Sequence, residues 1–356
     1  MVYAFIAMLF VFLYGAKIAD NNKFHEDYLG KDSTTAINGI FVIFVFMAHV
    51  GNYIKMAPVD QTWLQFKYFL SQLIVVTFLF YSGYGMMCSF LRKGQPYIKG
   101  IFKNRFLSLL LHFDLAIVLF LITNWIIGNH VTLKAFLIAL TTWKGIGNSN
   151  WYITAILCLY ILMIISFLIF GKFTKRKVPA LLTMSALTVV LMYVFVKLDR
   201  PAYCYNTLPL FPMGMWYAAF KDKIDKTVMK SNMSYLIFLF LSVLMFAVGQ
   251  KYRSHGLHMY EFWACGFMLI ILLLSMKIKL SNGIINTMGK HVFSVYILQR
   301  IPMMIFSELG LNKNNLIFFA LTFVATLIIA FTFDKVMAKI DAVLFKPKKL
   351  KATKAA

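Results

Sequence analysis

AINGIFVIFVFMAHVGNY, residues 36–53, is an almost unbroken apolar run that closes on a histidine. The composition around it has the same character. Of 356 residues, 61% are hydrophobic and 14% charged, with a mean hydropathy of +0.75, whereas a soluble domain carries about 45–50% apolar and about 25% charged residues. The 36 phenylalanines are too many for one aqueous core and suit a surface facing lipid. These figures predict an all-α fold, a polytopic bundle of transmembrane helices, because only a helix or a closed barrel satisfies its backbone inside a bilayer.

Apolar segments fall near 3–15, 36–54, 68–91, 106–127, 151–170, 179–197, 204–220, 233–249, 259–276, 291–309 and 315–334. A span needs about 20 residues, so residues 3–15 are short for one. That segment also lacks the basic start and small-residue cleavage site of a signal peptide. Counting it gives eleven spans, and leaving it out gives ten. Residues 131–140, VTLKAFLIAL, read as a short helix at or dipping into the membrane surface. The expected division is an N-terminal apolar segment and loop (1–30), a transmembrane domain (31–334) and a basic tail (335–356).

The net charge of +23 invites a nucleic-acid reading, but its placement argues against that partner. Loop 92–105 holds Arg92, Lys93, Lys99, Lys103 and Arg105 with no acid. Loop 171–178 holds Lys172, Lys175, Arg176 and Lys177, and seven lysines follow Phe333. Alternate loops are less basic: 51–67 has Lys55 and Lys67 against Asp60, and 198–203 has Arg200 against Asp199. Cytoplasmic loops carry the basic excess, so the C-terminus is expected in the cytoplasm and span 36–54 runs outward. His49 then lies near the outer boundary with Asn52 and Tyr53 beyond it, either as a structural hydrogen-bonding residue between helices or as a reactive one. Cys88, Cys158, Cys204 and Cys265 are scattered without metal-ligand spacing and read as small buried hydrophobes.

The order of several short elements carries a resemblance. STTAINGI–FVIFVFMAHV (33–50) opens on polar residues and ends on His49; FLFYSGYGM (78–86) supplies Ser82, Gly83 and Tyr84; KGIFKNRFLSLL (99–110) places Arg105 at a helix start. SNWYITAILCLYI (149–161) has Trp151 and, nine residues on, Tyr160. LPLFPMGMW (208–216) has a Phe-x-x-Gly step, and GKHVFSVYILQRIP (289–302) a late Gly…Ser…Tyr element. In this order they resemble the acyltransferase 3 family, integral membrane enzymes that move acyl groups, often acetyl, onto sugars and cell-surface polymers. Three positions depart from the family pattern: Asn38 stands where an Arg is common, Ile156 where many members have Glu, and Gln299 where a His is often found.

The resemblance implies an O-acyltransferase of the bacterial cytoplasmic membrane. It would use acetyl-CoA or another acyl-CoA as co-substrate, with no permanently bound cofactor or metal, and a saccharide or lipid-linked saccharide as acceptor. Such chemistry needs a base for the acceptor hydroxyl, and a neutral imidazole suits because its ordinary pKa is about 6.5; His49 is the residue expected in that role. Arg105 and Lys103 are the expected phosphate contacts for CoA, since a guanidinium engages phosphate bidentately and an ammonium acts as a point charge. Trp151 and Tyr84 are candidate ring contacts in the donor tunnel, where packing explains them equally well.

Asp114 lies nine residues, roughly 13 Å, into the membrane beyond Arg105 and is a second catalytic candidate, because an acid at that depth needs a partner or a water-filled cavity. His112, two residues away, does not share its face and is free to meet another helix. His255, His258 and Glu261 gather at the outer mouth of span 259–276 and are candidates to touch a sugar. The competing reading is a saccharide transporter or flippase. Two equivalent halves would favour it, and residues 36–170 and 179–334 have no convincing repeat.

Overall fold

The computed structural model describes residues 1–170 and 177–345. Among the described residues the regular structure is helical apart from one two-residue ladder. It begins with α1 (Val2–Leu13), β1 (Lys17–Ile18), α2 (Lys31–Val50) and α3 (Gln61–Leu70), then α4 (Val76–Lys93), α5 (Gln95–Ile101), α6 (Ser108–Ile126) and α7 (Leu133–Leu140). The middle of the chain forms α8 (Trp151–Phe170), α9 (Lys177–Lys197), α10 (Leu210–Val228), α11 (Asn232–Tyr252) and α12 (Leu257–Lys277). After β2 (Ile278–Lys279) come α13 (Gly283–Lys290), α14 (Val292–Leu298), α15 (Arg300–Glu308) and α16 (Asn315–Leu344).

Side-chain caps mark the helix starts that the sequence signals. Asn314 accepts from the backbone of Leu316 and Ile317 at 3.1 Å, and Thr132 accepts from Ala135 at 3.2 Å, starting α7 where a short helix was expected. Such caps satisfy the orphan N–H groups of a first turn.

Among the described residues, eight helical segments are long and apolar enough to cross a membrane: 31–50, 58–93, 95–126, 151–170, 177–197, 232–252, 257–277 and 315–344. Three expected spans fall short of that measure, each for a visible reason. α1 has only 12 residues. The second half of α10 carries Lys221, Asp222, Lys223, Asp225 and Lys226. Segment 291–309 is broken at Gln299 between α14 and α15; Pro302, which has no N–H to offer the Leu298 carbonyl, disfavours an unbroken helix there. At the other extreme, α16 runs past the expected span to Leu344, so the first part of the expected tail is helical. Loop positions Lys172, Lys175 and Arg176, and residues 346–356 of that tail, lie outside the described residues.

α1 nevertheless reaches from one end of the bundle toward the other. Its terminal amino group sits 2.8 Å from the Asp60 carboxylate, while the Asn282 side chain donates to the Val11 and Tyr14 carbonyls at 2.8 and 3.1 Å. β1 then pairs antiparallel with β2, Lys17 opposite Lys279. Near the Lys31 end of α2, the buried Tyr28 hydroxyl donates to Asp225 at 2.7 Å and meets the Tyr217 hydroxyl at 2.8 Å, with Lys221 paired to the same carboxylate. Burial pushes the Tyr28 phenol well above its ordinary value.

Helix pairs approach backbone to backbone through reciprocal glycines, α11 and α12 through Gly249 and Gly266 and two further pairs more closely still. A Cβ on Gly39 of α2 would strike the Ile285 carbonyl of α13, and one on Gly289 would strike that of Thr35. Likewise Gly83 of α4 lies on the Phe211 carbonyl of α10, and Gly214 on that of Phe80. Without a hydrophobic drive between helices in lipid, close packing of this kind holds a bundle together. Elsewhere apolar side chains face outward, among them Leu182, Val189 and Tyr193 of α9 and Leu236, Phe240 and Leu241 of α11. These faces are the lipid-facing surface of a multi-pass membrane protein.

Candidate active site

His49 occupies the last turn of α2, where the chain turns through Gly51 and comes back as α3. α3 ends at Leu70, and Ser71 takes φ +44°, a left-handed value uncommon for a residue with a side chain. The 3-10 segment Ser71–Val75 follows before α4. This break was not expected within segment 68–91, and it brings Ser71 and Gln72 into the lining of the cavity that His49 also lines.

Together these elements line a cavity of about 640 Å³ that includes His49, Asn52, Trp63, Lys67, Ser71 and Gln72. Three of its polar atoms are buried and lack a hydrogen-bond partner: Nδ1 of His49, Nε1 of Trp63 and Oε1 of Gln72. Native structures leave few such groups unpaired, and these three belong to side chains that line one space. Lys67 Nζ donates to the Ala48 carbonyl at 3.2 Å, which fixes a cation beside the imidazole.

A second cavity, of about 370 Å³, lies further along α2 toward its Lys31 end. α2 contributes Thr34 and Asn38, α4 Tyr81 and Ser82, α6 Leu109, α8 Tyr152, Ile156 and Tyr160, and α14 Phe293 and Tyr296. The Asn38 Oδ1 and the hydroxyls of Tyr81 and Tyr296 are buried without partners. Five of the six sequence elements that had only their order in common thus meet in one place, all but LPLFPMGMW, and Asn38 and Ile156, two of the three departures from the family pattern, both line it. The third, Gln299, is fully buried behind it, with Nε2 donating to the Tyr296 carbonyl at 2.9 Å and Oε1 unpaired. Asn38 and His49 are eleven residues, about 16 Å, apart on α2, and the two cavities share no lining residue.

The other expected site residues are placed as follows. Arg105 and Lys103 lie exposed in the π-helical turn Phe102–Leu107, with Arg105 one turn before cavity residue Leu109. π-turns within helices occur frequently at functional sites. Asp114 is half-buried on α6 with Oδ1 unpaired, and it lines neither cavity. Trp151 is half-buried at the start of α8, edge-on to Tyr152 and Tyr203 at 5.9 and 6.0 Å between ring centres. Tyr84 is half-buried on α4, its backbone against Gly214.

His112 reaches across to α16 and meets both oxygens of Asp341 at 3.0 and 3.1 Å. His255 and His258 are exposed and, like Glu261, stand away from the His49 cavity. The four cysteines are free. Among the described residues no cluster of three His, Cys, Asp or Glu side chains can hold a metal ion.

Two groups of polar residues escaped the sequence reading. Trp63, Lys67 and Gln72 build the His49 cavity, yet Lys67 counted only as a loop charge; the i, i+4 spacing of Trp63 and Lys67, one helical face, was the available signal. Asp334 of α16 binds both the His291 Nδ1 and the Ser294 hydroxyl. Asp341, which holds His112, follows two turns later on the same helix. Nothing local in the sequence joins these residues, which lie 40 or more positions apart.

Among curated proteins and among solved structures nothing matches this chain. A family model described as an acyltransferase domain matches residues 35–335, from the start of α2 into the last turns of α16. Over that length, most of the chain, it takes in both cavities except for Thr34, together with every paired glycine, and the chain therefore belongs to the acyltransferase 3 family.

Proposed function

We infer that the protein is an O-acyltransferase of the bacterial cytoplasmic membrane. It transfers an acyl group, acetyl in the first instance, from cytoplasmic acyl-CoA to a hydroxyl of a cell-surface or lipid-linked saccharide. The observation that carries this reading is His49: a half-buried imidazole whose buried Nδ1 is unpaired, in a cavity of saccharide-accommodating size with further unpaired polar atoms.

The basic loop 92–105 and the C-terminus take the cytoplasmic side, so the His49 cavity opens outward. Arg105 and Lys103 meet the phosphates of CoA, and the acyl-bearing arm enters the tyrosine-lined cavity past Leu109, with Tyr84 and Trp151 as ring contacts along the bundle. Transfer on this reading requires the two cavities to join when the donor is bound. At the meeting point His49 accepts the proton of the acceptor hydroxyl, and the oxygen attacks the thioester carbonyl carbon. The carbon–sulfur bond breaks, and the CoA thiolate leaves and takes the proton back from the imidazolium. Unpaired N–H groups such as that of Trp63 are suited to stabilise the developing oxyanion. Asp114 is the second catalytic candidate, as an unpaired carboxylate on the helix that starts at the donor's phosphates.

The test is purified protein in nanodiscs with acyl-labelled acetyl-CoA and a crude cell-envelope extract, with succinyl- and longer acyl-CoA in parallel. The expected result is release of CoA together with label on a saccharide. Absence of both binding and transfer for every acyl-CoA overturns this reading and favours transport.

A further inference from the structure

Beside the His49 cavity runs an apolar groove of about 540 Å³ between α1, α2, α3 and α12, walled by residues such as Ile37, Phe41, Phe267 and Ile271. Along α2 it extends from Ser33 to Phe44, about 16 Å at 1.5 Å per residue. Leu9 and Leu13 of α1 and Leu274 of α12 line it and are exposed, so the groove opens sideways toward the bilayer. At one end it merges with the reactive cavity: Phe44 and Leu70 line both.

The charges at the two ends differ. Lys279, at the far end, is paired with the Asp27 carboxylate. Lys67, at the His49 end, is bonded to a neutral carbonyl and is the one formally charged side chain among the residues lining that cavity. An anion is therefore favoured at the His49 end, where α3 and the 51–60 loop put the site at the membrane boundary, the depth at which a lipid phosphate sits.

We propose that groove and cavity form one binding site for an acceptor carried on a single long hydrocarbon chain through a phosphate. The chain lies in the groove, the phosphate meets Lys67, and the saccharide hydroxyl meets His49. The proposal rests on the acyl-transfer reading above and narrows its acceptor to the lipid-linked class. One groove takes one chain, whereas a bilayer phospholipid brings two.

The test uses the full-length protein in phosphatidylcholine nanodiscs and a long isoprenyl monophosphate bearing a diazirine in its chain. After irradiation, label is expected on peptides of α2 and α12. Unlabelled isoprenyl monophosphate should compete, and the isoprenyl alcohol of equal length should not. Lys67→Met is expected to weaken probe binding about tenfold. Ile271→Trp, which fills the groove, should abolish labelling, and Leu274→Trp at its mouth serves the same purpose should Ile271→Trp fail to fold. Equal labelling by a diazirine phosphatidylcholine, or labelling indifferent to the phosphate and to Lys67, overturns the site. Labelling is read without acyl transfer. Phosphate-dependent labelling with no transfer from any acyl-CoA therefore rejects the enzyme and keeps the lipid site, whereas transfer to a soluble saccharide without such labelling does the reverse.

Discussion

Lys67 donates its ammonium to the carbonyl of Ala48 at 3.2 Å, so the residue that precedes His49 carries a fixed cation. If the acceptor is anionic, Lys67→Met should lower kcat/KM for it about tenfold, roughly 1.4 kcal/mol. Acyl-CoA binding, measured by titration calorimetry, should be unchanged, because the proposed phosphate contact of the donor is Arg105 and not Lys67. Equal loss for both substrates would mean that Lys67 only packs the α2–α3 turn.

The paired glycines set the next expectation. Gly39→Val and Gly83→Val each place a side chain against a facing carbonyl, and overpacking of this kind costs about 1–3 kcal/mol. Thermal unfolding in detergent should show both variants destabilised. Gly85→Ala, where nothing lies within 4 Å of an added Cβ, is the control expected to unfold as the wild type does.

His112 and Asp341 are half-buried partners on different helices, with side chains 19% and 32% exposed. A pair this accessible to solvent couples by about 1 kcal/mol or less. A double-mutant cycle with His112→Phe and Asp341→Asn should return a coupling of that order and favourable sign. A coupling indistinguishable from zero would show that the contact contributes nothing to the α6–α16 packing.

Asp27 supplies a pH prediction outside the spans. Its hydrogen bond to Lys279, then the Lys279 charge, holds its carboxyl below the ordinary value of 3.8. A carboxylate depressed in the folded state stabilises the fold above the unfolded pKa, and that stability is lost as pH falls through the folded pKa. The wild type should therefore unfold at higher temperature than Asp27→Asn by a constant margin above about pH 5. The margin should shrink as the pH drops through 4 and below. A margin that grows on acidification would contradict the assignment.

Most spans were legible because twenty apolar residues leave a chain little choice in a bilayer. What the sequence hid were the interruptions. The left-handed Ser71 carries no glycine or proline to announce it, yet it turns Gln72 into the cavity lined by His49. The break at Gln299 had a visible cause in Pro302, but a hydropathy window averages over it. Of the site, His49 stood out as an ionisable residue at the end of an oily run, and Arg105 as a cation at a helix start. Lys67 did not, because a lysine in a loop is equally an orientation signal, and only the return of α3 shows what it faces. The two acids of α16 looked like ordinary charges near a basic tail until the fold brought His112, His291 and Ser294 to them.

The central claim is that His49 is the base for acyl transfer. It is tested most directly by single-turnover transfer from labelled acetyl-CoA to the envelope acceptor, wild type beside His49→Ala, with acetyl-CoA binding measured on the same preparations. A positioned general base contributes about 10²- to 10⁴-fold, so the account predicts a loss of that size in the transfer rate with donor binding intact. Wild-type rates in His49→Ala would contradict it and return His49 to a packing role.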